Sequence, residues 1–127
     1  MKKVIFMIGL FLIPIQVNAR THIDMGEFKL TAYCPCEECS EGWGRQTASG
    51  KTAEAGRTIA VDPDIIDIGS KVKIGNKIYI AEDVGGGVEG DHIDVFFDTH
   101  EEVEKFANGK GIKYKNVWII RDNKEEK

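Results

Sequence analysis

The sequence has little positive charge and no extended basic run. Its 17 Lys and Arg residues are outnumbered by 21 Asp and Glu residues, which gives a formal charge of −4. The densest basic stretch is the short segment 110–115. Because a nucleic-acid-binding surface needs clustered Lys and Arg to neutralise phosphates, this composition argues against a nucleic acid partner.

A hydrophobic run long enough to span a membrane is also absent. The longest apolar segment, Val4 to Val17, has 14 residues, whereas a spanning helix needs about 20. Lys2 and Lys3 precede it and Val17-Asn18-Ala19 ends it, which is the pattern of a secretory signal peptide. We therefore predict export with cleavage after Ala19, and no stable membrane insertion afterwards.

The length leaves room for one domain. Removal of residues 1–19 from the chain of 127 leaves 108 residues, enough for a single modest core, and the formal charge becomes −6 because the two lysines leave too. We assign 20–27 to an N-terminal extension, 28–120 to the domain and 121–127 to a charged tail.

Cysteine is scarce, and the three that occur, Cys34, Cys36 and Cys39, lie within six residues of one another. An odd number leaves at least one thiol unpaired within the chain. A disulfide from Cys34 or Cys36 to Cys39 is the first interpretation. A zinc site is the second, with His22 or His92 as the fourth ligand, because thiolates at such spacings can share a metal. A nucleophilic cysteine is the third, although no histidine stands in a suggestive context.

The chain does contain many short apolar alternations separated by glycines, a pattern that favours strands over helices. One helix is predicted after Thr99, which can cap it, with Glu101 and Glu102 in its first turn. A long polar loop, 42–56, interrupts the strands, and such loops are more often functional than idle. The sequence thus predicts a mainly β fold, a small closed barrel with one short helix. The predicted strands are 28–33, 57–61, 71–74, 77–81, 93–97 and 116–120.

Three aspartates, Asp62, Asp83 and Asp94, stand where strands meet glycine or proline. Aspartate at such positions often caps a turn by accepting hydrogen bonds from backbone N–H groups. For Asp62, a turn cap and a functional role are equally good explanations. The glycines that follow Asp83 let a ligand approach the backbone. Asp94 lies between Ile93 and Val95, where strands rarely hold aspartate. Desolvation there should raise its pKa, as a general acid requires.

Six short motifs follow one another in order along nearly the whole of 28–120. They are Thr31-Ala32-Tyr33-Cys34, Thr47-Ala48-Ser49-Gly50, Ala60-Val61-Asp62-Pro63, Ile68-Gly69-Ser70-Lys71-Val72, Glu82-Asp83-Val84-Gly85-Gly86 and Ile93-Asp94-Val95-Phe96-Phe97. Together they resemble the 3D domain family, named for its three aspartates. Several motifs in compatible order are much more specific than any one of them.

The resemblance implies a six-stranded double-psi β-barrel, shared with the catalytic part of membrane-bound lytic transglycosylase A and with stationary-phase muralytic proteins of Gram-positive bacteria. It implies a secreted enzyme of the bacterial cell wall that cleaves the β-1,4 bond between N-acetylmuramic acid and N-acetylglucosamine during cell-wall turnover. The product would be a 1,6-anhydro sugar and the partner would be the glycan strands of peptidoglycan. A peptidoglycan-binding module without turnover is the alternative. We expect a monomer without a cofactor.

The same resemblance assigns roles to residues. Asp94 would be the catalytic acid, and Asp83 and Asp62 would orient it, hold its proton or bind sugar hydroxyls. This interpretation requires the three carboxyl groups to converge on one groove. No metal is expected at the aspartates, whose spacing differs from that of a calcium loop. The candidates for sugar contact are Thr31, Thr47, Ser49, Lys51 and Trp43.

Overall fold

The computed structural model describes Gly9, residues 20–108 and residues 113–123. Apart from Gly9, the predicted signal peptide lies outside the described residues, and so does the end of the predicted tail, 124–127. Within the described part of the chain, no helix has both the length and the apolar character needed to cross a membrane.

The elements of the described residues are β1 Arg20–Tyr33, α1 Glu37–Ser40, β2 Thr58–Val61, β3 Lys71–Ile74, β4 Lys77–Asp83, β5 His92–Phe96, α2 His100–Asn108 and β6 Lys113–Asp122. The six strands close into a barrel in the order β1, β5, β2, β4, β3, β6. The pairs β1–β5 and β2–β4 are parallel, and the other four pairs are antiparallel. The predicted mainly β, six-stranded barrel is therefore confirmed, with the four-residue helix α1 in addition to the predicted helix.

The first and last strands of the barrel, β1 and β6, are longer than the sequence predicts. Residues 20–27, predicted as an extension, form the first half of β1 and pair with β6, whose last two residues come from the predicted charged tail. The register shifts between Asp24 and Gly26, where the glycine has φ 83°, a conformation typical of a β-bulge. Pairing with β6 holds this segment, and Ile23 and Met25 within it pack against the main core.

Alternating side chains divide β2 and β5 into two faces. Ile59, Val61, Ile93 and Val95 point into the barrel and belong to its main core. The residues between them lie on the opposite face, where a second small cluster packs under the loops. That cluster contains Tyr33, Ala53, Ala60, Val88 and Phe96. The intervening aspartate of β5, Asp94, must therefore lie on the loop-covered face and not in the core.

Helix α2 begins directly after Thr99, the residue that was predicted to cap it. Thr99 Oγ1 accepts a hydrogen bond from Glu102 N at 3.2 Å, and Thr99 Oγ1 donates to Glu102 Oε1 at 2.9 Å. This reciprocal arrangement fixes the first turn of α2. As a result His100, the first residue of α2, is held beside the end of β1.

Candidate functional site

A groove of about 530 Å³ lies over the loop-covered face of β2 and β5. Its floor includes Ala60 and Asp94, and its walls are the segments 39–48 and 83–88. It combines apolar surface with two strand-borne carboxyl groups, which is the usual make-up of a ligand site. The lining residues are Tyr33, Cys39, Ser40, Glu41, Trp43, Gly44, Gln46, Thr47, Ala48, Ala60, Asp83, Val84, Gly85, Gly86, Gly87, Val88, His92 and Asp94.

Asp94 is the half-buried acid of this groove. In the strand register it stands opposite Thr31 of β1 and Ala60 of β2. Burial raises the pKa of Asp94, and the nearby charge of Asp83 raises it further, whereas the Thr31 hydrogen bond and the neighbouring His92 lower it. Because the largest effect is desolvation, the protonated form of Asp94 persists to a higher pH than in an exposed aspartate.

A chain of hydrogen bonds joins Asp94 to His92 through one threonine. Thr31 Oγ1 donates to Asp94 Oδ1 at 2.9 Å and lies 2.7 Å from His92 Nε2. His92 Nδ1 lies 3.1 Å from the carbonyl oxygen of Gly87, and since a carbonyl only accepts, Nδ1 carries a hydrogen. The sequence suggested His92 only as a zinc ligand. Its position beside Asp94 is shown by the structure.

This chain has two fully satisfied arrangements, because Thr31 has a single hydroxyl hydrogen. In the first, neutral His92 accepts that hydrogen, and Thr31 accepts one from protonated Asp94. In the second, protonated His92 donates to Thr31, and Thr31 donates to the Asp94 carboxylate. The Thr31 hydroxyl can therefore donate to only one of its two neighbours at a time.

Replacement of Thr31 by Val should raise the pKa of Asp94 above its wild-type value. The change removes the hydroxyl that stabilises the carboxylate and that links it to His92. Carbon-13 NMR of the carboxyl group during a pH titration measures the shift. Thr31→Ser, which keeps the hydroxyl, should titrate like the wild type; a Thr31→Val titration that overlays the wild-type curve would contradict the assigned hydrogen bond.

Asp83 holds two loops against β1. Its Oδ1 accepts hydrogen bonds from Ala48 N at 3.1 Å and Val84 N at 2.9 Å, and its Oδ2 accepts from the Tyr33 hydroxyl at 2.9 Å. Burial, followed by the charge of Asp83, raises the pKa of Tyr33, so the phenol remains a donor. Asp83 thus lines the groove and fixes both of its walls.

Asp62 does not share the groove with the other two aspartates. Its Oδ1 accepts from Asp64 N at 2.9 Å, and its Oδ2 accepts from Gly90 N at 2.8 Å. The bond from Gly90 and then the bond from Asp64 lower the pKa of Asp62, which favours its charged form. The predicted convergence of all three carboxyl groups is therefore wrong: Asp83 and Asp94 share the groove, whereas Asp62 braces the turn that leads into β5.

Of the five residues predicted to contact sugar, two line the groove and three do not. Trp43, with 67% of its surface exposed, and Thr47 both line the groove. Thr31 lies behind Asp94 as its hydrogen-bond partner. Ser49 and Lys51 are not lining residues but take part in the turn beside Thr47, whose hydroxyl donates to the Lys51 carbonyl and lies 3.0 Å from Ser49 Oγ.

The cysteines meet a histidine that the sequence interpretation missed. Cys34, Cys36 and Cys39 are free thiols, so the disulfide predicted first is not formed. Their sulfurs and a nitrogen of His100 all lie within 4.8 Å of one another. Neither His22 nor His92 is the fourth member, which corrects the predicted ligand set. No sequence spacing indicates His100, because it comes 61 residues after Cys39.

Solved structures with a similar fold include lytic transglycosylases. LtgG of Burkholderia pseudomallei aligns with a TM-score of 0.54 and 26% identity, over 62% of this chain and 27% of that protein. MltA of Escherichia coli aligns with a TM-score of 0.53 and 23% identity, over 62% of this chain and 28% of that protein. The likeness to MltA, at this identity, shows a common fold alone.

Two relatives from Bacillus subtilis strain 168 carry names that refer to the cell wall. YabE, whose name associates it with cell wall shaping, is 39% identical over 90 residues, 67% of this chain. YocH, named a cell wall-binding protein, is 37% identical over 65 residues. The match spans 21% of the length of each relative. The model of the 3D domain matches residues 57–121, which is more than half of the sequence, so the chain belongs to the 3D domain family.

Proposed function

We propose that this protein cleaves the glycan strands of peptidoglycan as a lytic transglycosylase. The observation that carries the proposal is Asp94, a half-buried carboxyl group of raised pKa on the floor of an open groove. The similar structures LtgG and MltA are named lytic transglycosylases, and one MltA structure has bound chitohexaose, a sugar oligomer. The groove volume of about 530 Å³ is within the range of ligand sites.

One carboxyl group can perform both proton transfers of this reaction. Protonated Asp94 donates to the glycosidic oxygen as the bond from that oxygen to the anomeric carbon of N-acetylmuramic acid breaks. The 6-hydroxyl oxygen of the same sugar then bonds to the anomeric carbon, and its proton passes to the Asp94 carboxylate. The products are a 1,6-anhydro end and a free N-acetylglucosamine hydroxyl, and Asp94 is protonated again. No second carboxylate acts as nucleophile.

The neighbours of Asp94 have distinct tasks in this proposal. Thr31 donates to the carboxylate after the first proton transfer, and the Thr31–His92 link stabilises the charge until the proton returns. Asp83 raises the pKa of the acid by its charge and holds the groove walls. Asp62 acts at a distance by fixing Gly90 at the entry to β5.

Trp43 is proposed to stack on a sugar ring at the rim of the groove. Trp43→Ala should weaken binding to insoluble peptidoglycan about tenfold, as the loss of an exposed aromatic anchor at a binding surface commonly does. Tyr114→Ala is the matched control, because Tyr114 is 54% exposed but does not line the groove. A pull-down across a range of peptidoglycan concentrations measures both. Equal losses in the two variants would contradict the assigned contact.

A binding module without turnover is the second candidate, favoured by the name of YocH. Mass spectrometry of peptidoglycan incubated with the purified full chain separates the possibilities. Products with 1,6-anhydro ends support the transglycosylase, and products with reducing ends support a hydrolase. Retention on peptidoglycan with no released products selects the binding module.

We also propose that the protein acts outside the cell, at the bacterial cell wall, as a monomer. The proposal rests on the apolar segment Val4 to Val17 with its cleavage pattern, and on the cell-wall names of the relatives. Residues 1–19 would be removed on export. N-terminal sequencing of the protein recovered from the cell wall tests this, with Arg20 as the expected first residue.

A further inference from the structure

Three thiols and one imidazole gather at the start of α2. His100 Nδ1 lies 3.8 Å from Cys34 Sγ, 3.6 Å from Cys36 Sγ and 3.4 Å from Cys39 Sγ. Cys34 Sγ lies 3.2 Å from Cys36 Sγ, well beyond the roughly 2.05 Å of a disulfide bond. In a tetrahedral zinc site with normal bond lengths, two sulfur ligands are about 3.8 Å apart, and a sulfur and a nitrogen ligand are about 3.6 Å apart. The four atoms therefore have nearly the spacing of a zinc coordination shell.

We propose that Cys34, Cys36, Cys39 and His100 bind one zinc ion. The donor set decides the metal, because three soft sulfurs and one imidazole suit zinc and not magnesium or calcium. It also decides the role: four protein ligands fill a tetrahedron, so the ion is structural and has no open position for substrate. The evidence for this site does not depend on the proposed glycan cleavage.

The local structure is built to hold these ligands. Cys34 is fully buried just after β1, and Cys36 caps α1, with its sulfur accepting from Cys39 N at 3.4 Å. Such N–H to sulfur bonds stabilise the thiolate form that binds metal. The turn of α1 places Cys36 and Cys39, three residues apart, on one side.

The histidine also has the support that zinc ligands usually have. His100 Nε2 lies 3.5 Å from Glu104 Oε1, one turn further along α2. With Nδ1 on the metal, the hydrogen of the ring is on Nε2 and can be donated to this carboxylate. A carboxylate behind the distal nitrogen fixes the tautomer and increases the basicity of the ligand.

The ion would connect the end of β1 and helix α1 to helix α2. Cys39 and Ser40 line the groove, and Ser40 Oγ accepts from Gly44 N at 2.9 Å, next to Trp43. The zinc site would therefore fix the root of the groove wall that carries Trp43. Helix α1 has no fully buried residue, and its half-buried Cys39 packs against the second small cluster.

The test begins with the full chain purified under reducing conditions without chelator. Elemental analysis should give one zinc per chain, and cobalt substitution should give the strong sulfur-to-cobalt charge-transfer band and visible bands of a tetrahedral thiolate site. His100→Ala should weaken zinc binding on the order of 100-fold, measured by competition with a chelating dye. The matched control His22→Ala should bind like the wild type, because His22 lies on the exposed start of β1.

Two further measurements keep the proposal open to failure if a ligand variant does not fold. EDTA should lower the melting temperature of the wild-type protein, and added zinc should restore it. Glu104→Gln, which keeps all four ligands, should weaken zinc binding about tenfold. The proposal would be overturned if the purified wild-type chain contained no zinc and its melting temperature did not change with EDTA or added zinc. A disulfide between two of the cysteines in that chain would overturn it as well. Zinc affinity unchanged by His100→Ala would overturn the four-residue site.

Discussion

Asp94→Asn is expected to lower the release of 1,6-anhydromuropeptides by at least about 100-fold, the usual contribution of a general acid and base. Asn has nearly the same shape and can still accept from Thr31, but it can neither donate the proton to the glycosidic oxygen nor receive one from the 6-hydroxyl. The barrel should remain folded, since Asp94 lies outside the core. Mass spectrometry of released muropeptides over time measures the rate.

Asp91→Asn is the control for this experiment, because Asp91 is exposed in the same segment and does not line the groove. It should keep the wild-type rate. In the wild type, the rate should fall as pH rises through the raised pKa of Asp94, since only the protonated acid starts the reaction. Full activity in Asp94→Asn, or a rate that stays constant through the pKa of Asp94 measured by NMR, would refute the role of this residue.

Arg57→Met should lower the free energy of unfolding by about 2–3 kcal/mol. Glu82 is a charged residue with a side chain only 7% exposed, and Arg57 Nε lies 3.2 Å from its Oε1. Thr58 Oγ1 donates to its other oxygen at 2.7 Å. Removal of the arginine leaves a buried carboxylate without its charge partner, and breaking fully buried pairs costs about 3–5 kcal/mol. The expected loss is smaller than for a fully buried pair because the Arg57 side chain is 37% exposed, so solvent weakens its attraction to Glu82.

Urea unfolding followed by circular dichroism measures this loss. Lys105→Met provides the comparison, because Lys105 pairs with Glu101 at 2.9 Å on the exposed face of α2, with side chains 73% and 75% exposed. Exposed helical pairs contribute about 0.3–0.5 kcal/mol, so its effect should be small. Equal effects of the two substitutions would show that burial of Glu82 does not matter.

The sequence predicted the barrel because the core strands alternate cleanly. Ile59 and Val61, like Ile93 and Val95, mark the buried face, and such alternation is a local signal. Asp94 was found for the same reason, since it interrupts an apolar strand. The first half of β1 was missed because Ile23 and Met25 are too short an apolar alternation to predict a strand, and its pairing with β6 is made across nearly the whole chain.

Local sequence patterns could not predict which residues contact one another in the candidate site. Thr31 meets Asp94 only because β1 and β5 pair in parallel, and His100 meets the cysteines only because α2 packs near the end of β1. Asp62 shows the opposite limit: its motif predicted a site residue, but both of its oxygens accept backbone hydrogen bonds away from the groove. Sequence motifs predicted candidate positions, while the partners of each one depended on the tertiary fold.

The pairing of β1 with β6 has a consequence for the order in which the protein matures. Arg20 pairs with Asp122, so the first strand of the barrel cannot pair along its whole length until the sixth strand has been synthesised. Contacts so distant in sequence form slowly and only when both partners are available. The barrel therefore cannot close before β6 has been synthesised. A glycan-cleaving activity that depends on the closed barrel would be absent until then, so the timing of folding would itself delay the onset of cleavage.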